Sequence, residues 1–224
     1  VRWKVSEDVP IPAPLTRPGL QGTGPANDLG MVMSALNART ASWMFDWEDA
    51  GNDYEDQLYE AWETIRDVLA GAWDGRTFTH SAKDKRYRIE PDRSEWPSIF
   101  HRVPGLHLKS RQITRNGRPV PAIVPALVLS TLNTYESYRQ LGYAVPFYIP
   151  KIETTDEALL VGRLLKALEA AIGVPRGTIK IEMLNERAGY AARQPQIMWI
   201  LRKNLVGANV GRWDYLNSRI EMGK

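Results

Sequence analysis

The stretch that decides the fold is GTIKIEMLNERAGYAARQPQIMWILRKNLVGANVGRWDY, residues 177–215. It contains two short apolar runs rich in β-branched residues, 178–185 and 205–210, which favour strands. Between them, Pro195 is predicted to open a helical segment with an apolar face made by Ile197, Ile200 and Leu201. The order strand, helix, strand predicts one repeat of a parallel β/α fold.

A carboxylate stands just past each apolar run. Glu186 follows the first run and Asp214 the second, 28 residues later, which is about the length of one β/α repeat. Parallel β/α folds bind ligands at the carboxyl ends of their strands, so two neighbouring carboxylates there suit Mg²⁺, with water and substrate oxygens as its other ligands. The alternative interpretation is that each acid merely caps the helix that follows it.

Composition limits the class of protein. With 224 residues, 43% hydrophobic and 25% charged, the chain can form one large domain with a real core. A net charge of +3 from mixed charges does not indicate a nucleic-acid-binding protein. It is compatible with a basic groove that binds an anionic cofactor. The absence of cysteine excludes disulfides and zinc–thiolate sites. No apolar run approaches the roughly 18 residues of a membrane span, and no signal-peptide pattern is seen, so we expect a cytoplasmic protein without a membrane partner.

Five apolar runs along the chain are predicted to be strands that alternate with helices: 42–46, 98–103, 146–150, 178–185 and 205–210. This order predicts a parallel α/β sheet. Residues 1–25 are rich in proline and glycine and are predicted to be an extended lead-in. Residues 76–90 are predicted to form a β-hairpin excursion with no chemical role.

Two charged features follow strands in the first half of the chain. Asp46, Glu48 and Asp49 are three carboxylates within four residues, so they would repel one another if desolvated. A nearby cation or plain solvent exposure would relieve that repulsion. Arg102 ends the strand 98–103, where a structural salt bridge is the ordinary expectation.

Several of these segments together resemble malate synthase, the enzyme that condenses acetyl-CoA with glyoxylate. The similar segments are GTIK, Glu186, GANVGRWDY and the strand PFYIPK at 146–151. FDWEDA is similar to the family's DFEDS, and Arg102 with GLHL is similar to its R-x-R-G-x-H-L. Pro104 replaces the second arginine of that pattern, which puts in doubt whatever that arginine contributes elsewhere in the family. The resemblance covers roughly residues 20–220.

The resemblance implies a (β/α)₈ TIM barrel that is incomplete, with about five βα units, and makes 26–224 the N-terminal part of the catalytic domain. It also implies a role for each site residue. Glu186 and Asp214 hold Mg²⁺, and Asp46 and Glu48 reach the metal through water. Arg102 polarises the glyoxylate aldehyde oxygen. Glyoxylate is bound by the segment Gly211, Arg212, Trp213 and Asp214, with its carboxylate on the N–H groups of Trp213 and Asp214.

The family's catalytic base is an aspartate in a later segment with a pattern like L-M-E-D, and no residue of this sequence matches it. We therefore expect the chain to be a fragment that needs the missing C-terminal segment of the same protein, and to be inactive alone. Two other functions stay open. One is a C–C lyase of the citrate lyase β-subunit or malyl-CoA lyase type, against which GRWDY and GLHL argue. The other is a non-catalytic malate-synthase-like binding module.

Overall fold

The computed structural model describes residues 10–49 and 55–223. In chain order the strands are β1 (Gln21–Gly24), β2 (Ser42–Asp46), β3 (Thr77–His80), β4 (Lys85–Arg88), β5 (Ser98–Arg102), β6 (Lys109–Arg115), β7 (Arg118–Pro121), β8 (Phe147–Ile149), β9 (Ile181–Asn185) and β10 (Leu205–Val210). The α-helices are α1 (Leu29–Asn37), α2 (Glu55–Leu69), α3 (Ile123–Gln140), α4 (Thr155–Ala171), α5 (Ala188–Leu201) and α6 (Arg212–Met222). Short 3₁₀ helices occupy Ala13–Thr16, Ser81–Lys83 and Arg93–Glu95.

These elements fall into two compact units. The first contains Pro12–Arg102 and Leu127–Val145, and the second contains Val103–Ala126 and the chain from Pro146 onward. All five strands predicted from apolar runs are present, which confirms the predicted parallel α/β organisation. None of the helices in the described part of the chain combines the length and the apolar composition of a membrane span.

In the first unit, β2 lies between β1 and β5, and both pairings are parallel. Helices α1 and α2 of this unit contribute fully buried side chains, among them Val32, Leu36 and Ile65. Asp28 caps α1 by accepting a hydrogen bond from Met31 N at 3.1 Å, as an acid at this position does.

In the second unit, β9 lies between β8 and β10, again with parallel pairing. The core between these strands and α4 and α5 contains fully buried Ile149, Met183, Val161 and Ile197. Helix α4 begins with a capping box, because Thr154 and Glu157 exchange side-chain-to-backbone hydrogen bonds.

Two antiparallel hairpins interrupt the β/α order. The hairpin β3–β4 confirms the prediction for 76–90. The hairpin β6–β7, which lies between β5 and α3, was not predicted, because Pro119 and Pro121 make its second strand look like a loop.

The count of five parallel strands was too low, because β1 also pairs with β2. This strand lies within the predicted lead-in, of which residues 1–9 fall outside the described residues. Its glycines look like loop residues in the sequence. In the structure they make room for Trp43, since a Cβ carbon at Gly22 would lie 2.3 Å from the indole ring.

The prediction that Pro195 opens a helix was wrong. Helix α5 begins at Ala188, and Pro195 lies inside it. A proline inside a helix costs a hydrogen bond and a steric clash. The earlier start is stabilised by burial of Ala188 and Tyr190, and by Ser218 of α6, whose hydroxyl accepts the Ala188 N–H at 3.0 Å.

Strand β9 begins three residues later than predicted because Glu169, a buried residue of α4, accepts two of the preceding backbone N–H groups. Its Oε1 accepts hydrogen bonds from Gly177 N, Ile179 N and the Asn204 side chain, at 2.9, 3.0 and 2.8 Å. The ladder therefore starts at Ile181, whose N–H donates to the Asn204 carbonyl oxygen at 2.8 Å.

Candidate active site

In the first unit, the parallel register places Asp46 and Arg102 directly opposite each other at the carboxyl ends of β2 and β5. Side chains of paired residues lie on the same face of a sheet. Arg102 Nη1 donates to Asp46 Oδ2 at 3.3 Å, and Nη2 donates to Glu48 Oε2 at 2.7 Å. Nη2 also donates to Asp49 Oδ2. One guanidinium thus binds three carboxylates.

Burial differs sharply among these three carboxylates. The side chains of Arg102, Asp46 and Glu48 are 8%, 7% and 3% exposed, whereas that of Asp49 is 52% exposed. Ion pairs with little solvent exposure are screened less than surface pairs. The bonds from Arg102 to Asp46 and Glu48 are therefore the fixed part of the cluster, and the bond to Asp49 is its solvent-facing part.

Asp46 also shapes the loop that follows β2. Its Oδ1 accepts hydrogen bonds from Glu48 N at 3.0 Å and Asp49 N at 3.1 Å, as aspartates do in tight turns. Trp47 N donates to the carbonyl oxygen of Arg102 at 3.2 Å. The loop is thus bonded to β5 through both backbone and side chains.

This cluster contains three of the residues singled out from the sequence, Arg102, Asp46 and Glu48. It matches the strand-end salt bridge considered for Arg102, whose catalytic role stays a prediction. Asp49 completes the cluster and was given no role from the sequence, although its place three residues after Asp46 was a usable signal.

In the second unit, Glu186 follows β9 directly and is 2% exposed. Its Oε1 accepts a hydrogen bond from Lys151 N at 3.0 Å. Lys151 follows β8 closely, and its φ of 54° lies in the left-handed region. A non-glycine residue in that conformation is strained, and such strain concentrates at functional sites. No sequence signal indicated this conformation of Lys151.

Gly211, at the end of the neighbouring strand β10, lies against the side chain of Glu186. It follows β10, and its N–H donates to the carbonyl oxygen of Asn185 at 3.2 Å. A Cβ carbon at this position would lie 2.6 Å from Glu186 Oε2. The carboxylate of Glu186 is thus held at one oxygen by Lys151 and approached at the other by a glycine.

Gly211 is also the N-cap of α6, and it provides no side-chain cap. The first N–H groups of a helix have no partner within the helix and attract anions. Asp214 lies partly buried in this first turn. Arg212 and Trp213 are exposed, with the guanidinium 4.4 Å from the indole centroid.

Arg187, the residue that follows Glu186, interacts with three acidic side chains. It donates to Glu153 at 2.8 Å and to Glu221 at 3.5 Å. Burial lowers the pKa of Arg187, but the hydrogen bond with Glu153 and the negative charges of Glu153, Glu221 and Asp214 outweigh it, so the pKa is raised. Asp214 therefore lies within electrostatic reach of the residue next to Glu186.

The second unit contains two acidic side chains of the kind that a hard divalent cation prefers. Glu186 and Asp214 offer carboxylate oxygens, which Mg²⁺ prefers, and it needs only one or two protein carboxylates. The glycine at 211 keeps the space beside Glu186 Oε2 clear of a side chain. Among the described residues, no group of three or more His, Cys, Asp or Glu is arranged to hold a metal.

Comparison with known proteins relates the chain to one family. The family model described as "Malate synthase, TIM barrel domain" matches residues 98–224. Malate synthase of Myxococcus xanthus (strain DK1622) is 32% identical over 220 residues, which cover 98% of this chain and 38% of that protein. Malate synthase A of Escherichia coli (strain K12) is 31% identical over 220 residues, covering 98% and 39%. The glyoxysomal malate synthase of Glycine max is 29% identical over 216 residues, covering 95% and 37%.

Two solved structures share the fold at low sequence identity. The Haloferax volcanii malate synthase lead(II) complex superposes with a TM-score of 0.60 at 14% identity, covering 89% of this chain and 51% of that one. A citrate lyase from Burkholderia xenovorans LB400 also gives 0.60, at 11% identity, covering 91% and 51%. The chain spans about two fifths of the length of the curated relatives it matches.

Proposed function

We propose, from the premise that this chain belongs to the malate synthase family, that it forms part of an enzyme that condenses acetyl-CoA with glyoxylate to give malate and CoA. The same premise gives the fold class, a (β/α)₈ TIM barrel of the malate synthase type. The described residues contain six strands with parallel partners, whereas a complete barrel of this class has eight.

One observation carries the proposal most directly, namely the setting of Glu186. This buried carboxylate directly follows β9, accepts the Lys151 N–H, and contacts Gly211, which follows β10. It supports the assignment of Glu186 as a ligand of Mg²⁺. From membership of the family, the proposal adds Asp214 as the second ligand, with Asp46 and Glu48 reaching the ion through water. A bound Mg²⁺ would supply Lewis-acid polarisation of the glyoxylate carbonyl.

The remaining groups of the proposed site act on glyoxylate directly. N–H groups of Trp213 and Asp214, in the first turn of α6, receive the substrate carboxylate, as helix N-termini do. Arg102 donates to the aldehyde oxygen and stabilises the negative charge that develops there. To do so, Arg102 exchanges one carboxylate partner, and Asp49 is the one that lies half in solvent.

The condensation also needs a base that removes a proton from the acetyl methyl group, and hydrolysis of the malyl-CoA thioester afterwards. None of the residues assigned above is that base. We propose that the base is an aspartate in a C-terminal segment of the same protein. In this proposal the enzyme serves the glyoxylate cycle in the cytoplasm, with glyoxylate and acetyl-CoA as its partners and neither nucleic acid nor membrane among them.

The proposal is tested in the full-length enzyme, of which this chain forms part, by measuring glyoxylate-dependent release of free CoA from acetyl-CoA with Mg²⁺. Glu186→Gln and Asp214→Asn should each lower kcat and weaken Mn²⁺ binding measured by calorimetry. Asp156→Asn is the matched control, because Asp156 is likewise an acid in the first turn of a helix, α4. Normal turnover in both site variants would refute the assignment of the metal ligands.

A C–C lyase is the second candidate function, because the citrate lyase structure superposes as well as the malate synthase structure does. The family model and the 32% identity to a malate synthase favour condensation. Cleavage of citryl-CoA or malyl-CoA without glyoxylate-dependent CoA release would support the lyase. Binding of glyoxylate with neither activity would support a non-catalytic module.

A further inference from the structure

The β6–β7 hairpin concentrates the positive charge of the chain. Residues 109–121 hold four of the 29 lysines and arginines and none of the 26 acidic residues, so the remaining chain has a net charge of −1. The four basic residues are Lys109, Arg111, Arg115 and Arg118. Every residue from 112 to 119 is exposed, so the charges of Arg115 and Arg118 face solvent.

The tip of the hairpin places two arginines side by side. Arg115 is paired directly with Arg118 across the hairpin, with Asn116 and Gly117 as the two-residue turn between them. The φ angles of 52° and 73° at these turn residues fit a type I′ turn, which Asn-Gly favours. Residues paired this way have Cβ atoms about 5 Å apart on one face.

This pairing works against the fold. Like charges directly opposite each other destabilise a hairpin, and within the described residues neither Arg115 nor Arg118 has an ion pair with an acidic side chain. The Asn-Gly turn fixes the hairpin without them. An anion that bridged both guanidinium groups would turn the repulsion into attraction, since guanidinium binds phosphate oxygens in a bidentate manner.

We propose that the Arg115–Arg118 pair binds a phosphate group of a phosphorylated small molecule and, resting on the proposed function, that this molecule is acetyl-CoA, held by its nucleotide end. The hairpin lies in the connection from β5 to α3. Such connections after strands build the ligand sites of parallel β/α barrels. The net charge of −1 on the rest of the chain argues against a polyanion, which requires an extended series of basic contacts.

The experiment compares acetyl-CoA with S-acetylpantetheine, which lacks every phosphate, by calorimetry. The full-length enzyme, its double variant Arg115→Gln/Arg118→Gln and its control variant Arg86→Gln/Arg88→Gln are measured at two salt concentrations. The control removes two exposed arginines from the other hairpin, so its net charge matches. The site variant should bind acetyl-CoA about three- to tenfold more weakly, with a smaller salt dependence and unchanged binding of S-acetylpantetheine. Thermal unfolding should be unchanged or slightly raised.

Three results would overturn the inference: normal binding of acetyl-CoA by the site variant, an equal loss in the control, or tighter binding of a single-stranded 20-mer DNA than of acetyl-CoA. If the unmodified protein does not bind acetyl-CoA, the proposed function fails instead. In that case, binding of inorganic pyrophosphate tests separately whether the hairpin holds a phosphate site. Pyrophosphate binding that is lost in the site variant supports the phosphate site, and its absence in the unmodified protein overturns it.

Discussion

Gly211 and Glu186 follow different strands, yet a Cβ carbon at residue 211 would lie only 2.6 Å from Glu186 Oε2. The backbone of Gly211 has φ −80°, which any residue can adopt. Glycine is therefore required here by space and not by conformation, and the carboxylate of Glu186 is the group that needs the space.

Gly211→Ala should displace the Glu186 carboxylate, because the added methyl group cannot be accommodated without movement. We expect Mn²⁺ affinity to fall by about tenfold or more, with a loss of about 1–3 kcal/mol in the free energy of unfolding. Calorimetric titration and urea unfolding measure the two effects. Gly207→Ala in β10 is the control, since its added carbon would meet Glu182 at an ordinary 3.5 Å. Equal effects in both variants would contradict the steric argument.

Lys151 can be tested with two variants that both remove its ammonium group. Lys151→Asn should be better tolerated than Lys151→Val, because asparagine accepts a positive φ and β-branched valine does not. The valine variant should be less stable by about 1–2 kcal/mol in urea unfolding. It should also bind Mn²⁺ more weakly, since Lys151 N donates to Glu186. Equal stability and equal Mn²⁺ affinity of the two variants would show that the backbone conformation of Lys151 has no energetic role.

Arg102→Lys should lower kcat of the active enzyme far more than it weakens metal binding. Lysine keeps the charge but loses the planar fork that bonds Asp46, Glu48 and Asp49 together. A loss of about 2–4 kcal/mol in transition-state stabilisation is expected for one such donor. Arg66→Lys is the control, because Arg66 bonds only Asp67 at the surface of α2 among its described contacts. Near-normal turnover of Arg102→Lys would remove Arg102 from the mechanism.

His101 should make folding stability depend on pH. Burial lowers the pKa of His101 from 6.5 to about 3, so below pH 6.5 the unfolded chain binds a proton that the folded protein does not. The contribution of neutral His101 to the free energy of unfolding is fully present above pH 6.5. It is lost as the pH falls toward 3, at up to about 1.4 kcal/mol per pH unit.

Urea unfolding between pH 7 and pH 4 measures this slope. His101→Gln should flatten it while lowering the stability at pH 7, because His101 also bonds the Tyr138 hydroxyl at 2.5 Å. His80→Gln, which removes a partly exposed histidine, is the control for the loss of an imidazole group. An identical slope in His101→Gln would assign the pH dependence to other groups.

The 224-residue polypeptide assayed alone should show no glyoxylate-dependent CoA release, while keeping weak affinity for Mg²⁺ and glyoxylate. The proposed metal ligands and Arg102 lie within it, but no residue matches the family's base, and general-base catalysis is worth about 10²–10⁴-fold. Release of CoA thiol is followed with acetyl-CoA, glyoxylate and Mg²⁺. Turnover near 1 s⁻¹, ordinary for enzymes, would mean that a carboxylate of this chain is the base.

Local sequence signals predicted much of the fold. The five apolar runs became strands, and Thr154 with Glu157, a spacing typical of capping boxes, formed one. These features depend on residues that are close together in the chain, so their pattern can be recognised in a single sequence. The same holds for Asp46 and Glu48, which were singled out because they lie at the carboxyl end of a predicted strand.

The errors occurred where distant residues decide the local structure. Gly22 is a strand residue because Trp43 covers it, and α5 starts before Pro195 because Ser218 receives its first N–H. The left-handed conformation of Lys151 serves a hydrogen bond to Glu186, 35 residues away. Propensity alone could not have indicated these contacts.

The bonds of Glu169 have a consequence for how the second unit folds. One carboxylate oxygen bonds Gly177 and Ile179, which precede β9, and Asn204, which precedes β10. These bonds form together only when α4 and both strands are docked, so neither strand gains their full stabilisation alone. We therefore expect β9 and β10 to unfold as one cooperative segment, with amide protons that exchange at a common rate. Glu169→Gln should accelerate exchange in both strands together.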